Sequence, residues 1–263
     1  MVDRNTEGMA GRLRDRLSVN EPYEGLVAEG YDAWISVDDV FPDDAVHEMV
    51  VARAGGPVLE LGCGTGRPML RWLTAGHDVE GIDVSVDMLA ILRRNAAARG
   101  LEPVVHHGDI APLDLGRTYA AIVCPAGTFT LLDDEDRIRA AVISYLGHLR
   151  PGGRLALTLA RLAPTGTDSL QWRLRRTGTM ADGTAIVVHE ALLTEDGGRC
   201  QIAYNRIEAF DQGGRLLDTW LRRLRLRSWR QDEMRTLLTD VGFVDVEEFG
   251  SEDGWVTVAR RPE

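Results

Sequence analysis

Between Pro57 and Leu159 short apolar runs alternate with stretches of helical period, and that rhythm leaves few folds open. Pro57 to Leu61 reads PVLEL, a short buried strand, followed by a glycine cluster and a helix from about Arg67 to Ala75 that Gly76 stops. Val79 to Val84 is a second strand. Ser85 caps the next helix, which runs through Met88, Leu89 and Leu92 to Gly100. A strand at 103–107, a strand from Tyr119 to Cys124, a helix at 134–149 and a strand from Arg154 to Leu159, after the turn Pro151-Gly152-Gly153, continue the series. Strands alternating with helices at this spacing require crossover connections and therefore a parallel sheet. Upstream, a helix opens at Pro42, Asp43 and Asp44 and ends at Gly55 and Gly56.

After about residue 165 the rhythm changes. Residues 169–176, 184–193, 199–210 and 215–227 read as strands joined by the turns Asp182-Gly183, Asp196-Gly197-Gly198 and Gln212-Gly213-Gly214, a meander of hairpins. Ser228 to Gln231 fits a capping box that opens a helix through Met234, Leu237 and Leu238 to Gly242, and strands at 243–249 and 255–260 rejoin the sheet. The plan is a parallel-sheet core at 41–164 and 228–263, an antiparallel β insertion at 165–227 and an N-terminal arm at 1–40.

Composition narrows the chemistry. All 30 Lys+Arg positions are Arg, which removes Schiff-base lysines and phosphate-loop lysines together. A formal net charge of −11 argues against nucleic acid as a partner. Arg222, Arg223, Arg225, Arg227 and Arg230 read as an edge strand with a solvated charged face. No apolar run approaches the roughly 18 residues of a membrane span, and Met1 to Leu17 is polar, so no membrane partner and a cytoplasmic location are expected. Cys63, Cys124 and Cys200 lack the spacing of a disulfide framework or a zinc site.

The motif that carries chemistry is Glu60-Leu61-Gly62-Cys63-Gly64-Thr65-Gly66, between a buried strand and a helix. A dinucleotide site wants G-x-G-x-x-G, but the sixth position from Gly62 is Arg67. Glu60 would repel a diphosphate, whereas it attracts a ligand carrying an ammonium and a sulfonium, which describes S-adenosylmethionine. Asp83 ends the second strand, where an acid can accept both hydroxyls of a ribose. Asp109, after the third strand, can accept from an adenine amino group with the Ile110 backbone beside the ring, and Met88 can cover an adenine face. Three acids at the carboxyl ends of three successive strands stand where such sheets bind ligands.

Through ELGCGTG, GIDVSVDML, HGDI and LRPGGRL, and again over Ser228 to Phe249, the sequence resembles the class I S-adenosylmethionine-dependent methyltransferases. The resemblance implies an α/β, Rossmann-like seven-stranded sheet with the last strand antiparallel. It also implies Glu60, Gly62, Cys63, Gly64 and Gly66 near the methionyl part, Asp83 and Val84 at the ribose, Asp109 and Ile110 at the adenine, and Cys124 closing the cofactor set. The insertion is similar to that of the amino-sugar N-methyltransferase group, where it roofs the substrate pocket as a lid.

Methyl transfer from a sulfonium is an in-line displacement that requires alignment, exclusion of water and, for a hydroxyl, removal of a proton. Nucleic-acid amino-methyltransferases place an Asn/Asp-Pro-Pro-aromatic motif after the fourth strand. Here that stretch is Cys124-Pro125-Ala126-Gly127-Thr128-Phe129, and it ends in no acid that would hold magnesium, so no metal is expected. Tyr23, Tyr31, Trp34, Phe129, Tyr204 and Arg206 are candidate acceptor contacts, and His189 is the candidate general base. The expected reaction is methylation of an amine or hydroxyl on a small-molecule acceptor by a monomer or homodimer. The alternative is a protein of the same fold that binds the cofactor as a sensor without turnover.

Overall fold

The computed structural model describes residues 23–36, 39–162 and 171–263. The expectations for the first 20 residues lie outside these. The chain order is α1 (Gly25–Trp34), α2 (Asp44–Arg53), β1 (Val58–Leu61), α3 (Arg67–Thr74), β2 (Val79–Asp83), α4 (Val86–Ala97), β3 (Val104–His107) and β4 (Tyr119–Cys124). After a short 3-10 turn, Thr128–Leu131, come α5 (Glu135–His148), β5 (Leu149–Leu159), β6 (Arg173–Thr179), β7 (Ala185–Glu195), β8 (Cys200–Phe210), β9 (Leu216–Arg227), α6 (Gln231–Val241), β10 (Val244–Ser251) and β11 (Gly254–Arg260).

Seven strands form one sheet in the order β10-β11-β5-β4-β1-β2-β3, with β11 antiparallel to both its neighbours and the β1 to β5 pairings parallel. The order reverses at β1/β4, and β1 is buried at every position. One core packs α5 and α6 on one face through Leu59, Leu155, Tyr145 and Trp229; the other packs α2 to α4 through Val58, Trp72 and Leu92. These buried two-faced strands explain why the sequence reads there as continuous apolar runs rather than alternation. A separate antiparallel sheet has the order β6-β7-β8-β9.

Three local expectations are corrected. Pro151-Gly152-Gly153 is not a turn before β5 but an irregular stretch within it, held where Gly152 N–H donates to the Arg261 carbonyl at 3.1 Å. Ser228 does not cap α6, which starts at Gln231 after an Arg230 that makes no side-chain cap. The Ser228 hydroxyl instead accepts from Leu162 N–H at 3.0 Å, joining the two ends of the inserted sheet. Arg222, Arg223, Arg225 and Arg227 do lie on an edge strand, β9, but they are buried or half-buried rather than solvated, whereas Arg230 lies beyond the strand and is exposed. Arg222, Arg223 and Arg227 are 7%, 5% and 4% exposed. Arg227 pairs with Glu135 and Glu233, and Arg225 with Asp133 and Asp196.

The second sheet docks on α1 through Val27, Trp34, Ile186, Val188 and Ile207. At Gly178 the approach is backbone to backbone: a Cβ there would lie 1.8 Å from the Ala33 carbonyl oxygen. Gly178→Ala is therefore expected to push β6 off α1 and lower unfolding stability by about 1–3 kcal/mol, the usual range for overpacking. Denaturant titration of the two proteins measures it.

Candidate functional site

A cavity of about 480 Å³ opens at the carboxyl ends of β1, β2 and β4, the crevice beside the point where strand order reverses. Its floor is the loop after β1. Gly62 takes a left-handed φ of 66°, and a Cβ on it would stand 2.5 Å from Thr128 Cγ2, so the loop lies directly against the segment after β4. Asp83 closes β2 and braces this loop: one carboxylate oxygen accepts from Gly64 N–H at 2.9 Å and the other from Ser85 N–H at 2.9 Å. Burial raises the Asp83 carboxyl above its usual range, opposed by those two N–H groups. Ser85 caps α4 as expected, accepting from Met88 N–H at 3.1 Å.

Glu60 is 2% exposed, lines the cavity, and its Oε2 has no hydrogen-bond partner. Burial pushes its carboxyl well above the ordinary carboxylate range, and Arg67 is the charge that most opposes this. Asp109 lines the far end. It caps Ala111 N–H at 2.9 Å and pairs with Arg137, whose guanidinium also reaches the cavity. Val84, Met88 and Ile110 stand on the same wall, with Val84 notably exposed at 49% for an apolar side chain.

Above the glycine loop, Tyr23 and Tyr31 from the α1 segment meet edge to face at 5.6 Å and line the cavity, joined by Leu224 and Leu226 of β9. Burial raises the Tyr31 phenol, so it stays protonated. On the remaining side the loop after β4 presents Ala126 in a left-handed conformation, φ 56°, held by its N–H to Asp43 at 2.9 Å. That carboxylate also accepts from the Thr158 hydroxyl at 2.7 Å, with His47 Nε2 2.7 Å from the same hydroxyl. Burial lowers the His47 pKa to about 4, so this buried imidazole is neutral.

Of the residues anticipated from sequence, Glu60, Gly62, Cys63, Gly64, Asp83, Val84, Met88, Asp109, Ile110, Tyr23 and Tyr31 converge on this one cavity. Others do not. Gly66 sits behind the loop as the cap of α3, and Cys124 is fully buried at the end of β4. Phe129 packs into the core against Trp229 and Tyr145, and Trp34 packs against Tyr31 and Ile186. His189, Tyr204 and Arg206 belong to the opposite face of the inserted sheet. Ala203 pairs with Leu224 and Gln201 with Leu226, so the alternate residues Tyr204 and Arg206, with His189 opposite Arg206, point away from the cavity. The His189 ring lies 3.4 Å from Glu208, an ion-pair partner on that same face.

The sequence reading missed Phe41, Arg67, Thr130, Arg137, Leu224 and Leu226 as cavity residues. Only the leucines left a usable signal, their spacing of two within the arginine run. Among the described residues no group of three or more His, Cys, Asp or Glu side chains gathers to hold a metal ion, and no helix is long and apolar enough to cross a membrane.

Comparison with known proteins points to the same fold. The family described as a methyltransferase domain matches residues 58–153. The CcbJ methyltransferase from Streptomyces caelestis superposes with a TM-score of 0.71 at 27% identity over 90% of this chain and 96% of that one. The sugar N-methyltransferase KedS8 from a Streptoalloteichus strain gives 0.71 at 21% identity, over 94% and 96%. In sequence, the dTDP-3-amino-3,6-dideoxy-alpha-D-glucopyranose N,N-dimethyltransferase of Streptomyces fradiae is 31% identical over 136 residues, 50% of this chain and 52% of that one. The match thus spans about half the length of that curated relative. The chain has the fold of the S-adenosylmethionine-dependent methyltransferases, and its residues 58–153 match the methyltransferase-domain family.

Proposed function

We propose that this protein transfers the methyl group of S-adenosylmethionine to an amine of a small-molecule acceptor, without a metal. The observation that carries the reading is Glu60 Oε2, a bare buried carboxylate oxygen on the cavity wall. An uncompensated acid in such a place is costly, and an ammonium is the group that removes the cost. The rest of the wall suits the remainder of the cofactor. Asp83 keeps lone pairs for a ribose, Val84 and Met88 give an adenine apolar faces, and Asp109 and Ile110 meet its edge.

When bound, the cofactor supplies an electrophilic methyl group on a sulfonium. The glycine loop fixes the position of that end against Thr128, while Tyr23, Tyr31, Leu224 and Leu226 exclude water from the side on which an acceptor enters. The amine must arrive neutral. Among the described residues that line the cavity none is an imidazole, and burial keeps the Tyr31 phenol protonated rather than available as a base. Deprotonation of the acceptor therefore falls to solvent before the pocket closes, which suits an amine better than a hydroxyl. The inserted sheet acts as the lid of the pocket. An amino sugar carried on a nucleotide, as in the name of the Streptomyces fradiae relative, is the acceptor class this reading favours. Binding without turnover has no observation in its favour.

Incubation with S-adenosylmethionine and dTDP-3-amino-3,6-dideoxy-alpha-D-glucopyranose, followed by mass spectrometry, tests it. Addition of one or two methyl groups to the amino sugar, with release of S-adenosylhomocysteine, is the expected result. Calorimetric binding of NAD in place of S-adenosylhomocysteine overturns the cofactor reading.

A further inference from the structure

Among the described residues three that are not glycine have a left-handed backbone: Ala126 at φ 56°, Asp196 at φ 50° and Asp245 at φ 52°. Aspartate tolerates that region because its short polar side chain can hydrogen-bond locally; alanine has no such means. Ala126 is the second residue after β4, and Gly127 follows it with a φ of 75°. A strained alanine persists only where its surroundings impose the conformation.

What imposes it here is Asp43, at the start of α2. One of its oxygens, Oδ2, accepts from both Ala126 N–H at 2.9 Å and the Thr158 hydroxyl at 2.7 Å. Since that hydroxyl proton goes to Asp43, Thr158 Oγ1 must accept from His47 Nε2, 2.7 Å away. The neutral imidazole therefore carries its proton on Nε2, and Nδ1 is the atom left without a partner. Every bond in this row has its direction fixed, from the fully buried His47 on α2, across Thr158 on β5, to the loop after β4. The free end of the row is the cavity wall. Pro125, Ala126, Gly127 and Thr128 all line it, and Thr128 Cγ2 stands 2.5 Å from where Gly62 would carry a Cβ. The two loops fit without slack, so a loop that relaxed at Ala126 would carry Thr128 off the glycine loop.

We infer that Asp43 is a positioning residue of the methyl-donor site: through Ala126 it holds the loop after β4 in the form that seats Thr128 against Gly62. The inference rests on the proposed cofactor and gives a role to a residue that does not itself line the cavity. Without the carboxylate, only the fraction of molecules with Ala126 still left-handed offers the finished site, and apparent affinity falls by that fraction.

Titration calorimetry with S-adenosylhomocysteine on the full chain, with thermal unfolding alongside, tests it. Asp43→Ala is expected to bind about tenfold more weakly. Asp43→Asn keeps a carbonyl oxygen with two lone pairs, enough for both bonds now made by Oδ2, and should stay within about twofold of the unaltered protein. Glycine takes a positive φ unaided, so adding Ala126→Gly to Asp43→Ala should bring affinity back to within about twofold. Thermal stability should stay lowered, because Thr158 and His47 still lack their acid; a merely structural Asp43 would make affinity and stability move together. Should Asp43→Ala fail to fold, Thr158→Val frees the carboxylate from its anchor, and a loss of about fivefold that Ala126→Gly restores is expected instead. Unchanged affinity in Asp43→Ala overturns the inference, as does an Asp43→Asn as weak as Asp43→Ala, or an Ala126→Gly that restores nothing. If S-adenosylhomocysteine does not bind the unaltered protein, the cofactor reading itself falls, so the two failures are distinguishable.

Discussion

Glu60→Gln is expected to weaken S-adenosylhomocysteine binding by about 100-fold, the larger of two effects that define the site. Glutamine keeps the shape of the side chain but removes the charge, and truncating one partner of a buried charged pair costs about 2–5 kcal/mol. The pH dependence separates this from simple damage. In the unliganded protein, burial holds the Glu60 carboxyl well above the ordinary carboxylate range, so the acid carries a proton over a range where an exposed glutamate does not. An ammonium beside it draws the acid back down. Binding then releases a proton, and affinity rises with pH from the ordinary carboxylate range up to the raised value, levelling off beyond it. The sign for stability is opposite. A carboxyl whose folded pKa is raised contributes stability that is fully present below its unfolded pKa and lost as pH rises through the folded one. Ligand should therefore protect most at the upper end of that window. Calorimetry in buffers of different ionisation enthalpy reads the released proton directly, and Glu60→Gln should abolish it. Binding by the unaltered protein with no proton released would remove Glu60 from the ammonium site.

Asp83→Ala is expected to lower affinity for S-adenosylhomocysteine by about 1.5–3 kcal/mol, the scale of hydrogen bonds to a charged group. The structure adds a second effect. Both Asp83 oxygens already accept backbone N–H groups, from Gly64 and Ser85, so alanine leaves the glycine loop unbraced as well as the ribose unbound. Thermal unfolding of the unliganded variant should show a loss of about 1–2 kcal/mol alongside the affinity change. A variant with unchanged affinity would take Asp83 out of the site. One with lowered stability but intact affinity would confine it to bracing the loop.

The parts of this site that were legible in the sequence are those fixed by strand ends. Glu60 lies in β1, Asp83 ends β2 and Asp109 follows β3, so the alternation that forms the parallel sheet also places them at one edge. The inserted sheet was legible as strands but not as faces. Its register decides which alternate residues see the cavity, and nothing local to His189, Tyr204 or Arg206 encodes that; the pairing of Ala203 with Leu224 does. The arginine run misled for a related reason. Charges alternating with leucines read as solvated, but Arg222 is stacked over Tyr23 at 4.2 Å and hydrogen-bonded to Asn205, and Arg227 is paired with acids from two helices. Such partners lie far along the chain. Ser228 shows the same thing on a small scale: its partner Leu162 is 66 residues away, so a local capping pattern could not reveal it.

The wall of the cavity has one further consequence. Among the described residues its cations, Arg67 and Arg137, are guanidiniums rather than amines, and the chain contains no lysine. The Cys63 thiol beside the glycine loop is pushed up by burial and so stays protonated, short of the thiolate that would attack. A methyl donor held there meets no side-chain amine and no ionised sulfur on this wall, so the protein is poorly equipped to alkylate itself. Fidelity in this pocket comes partly from what the wall withholds: the first competent amine the donor meets is one that diffuses in.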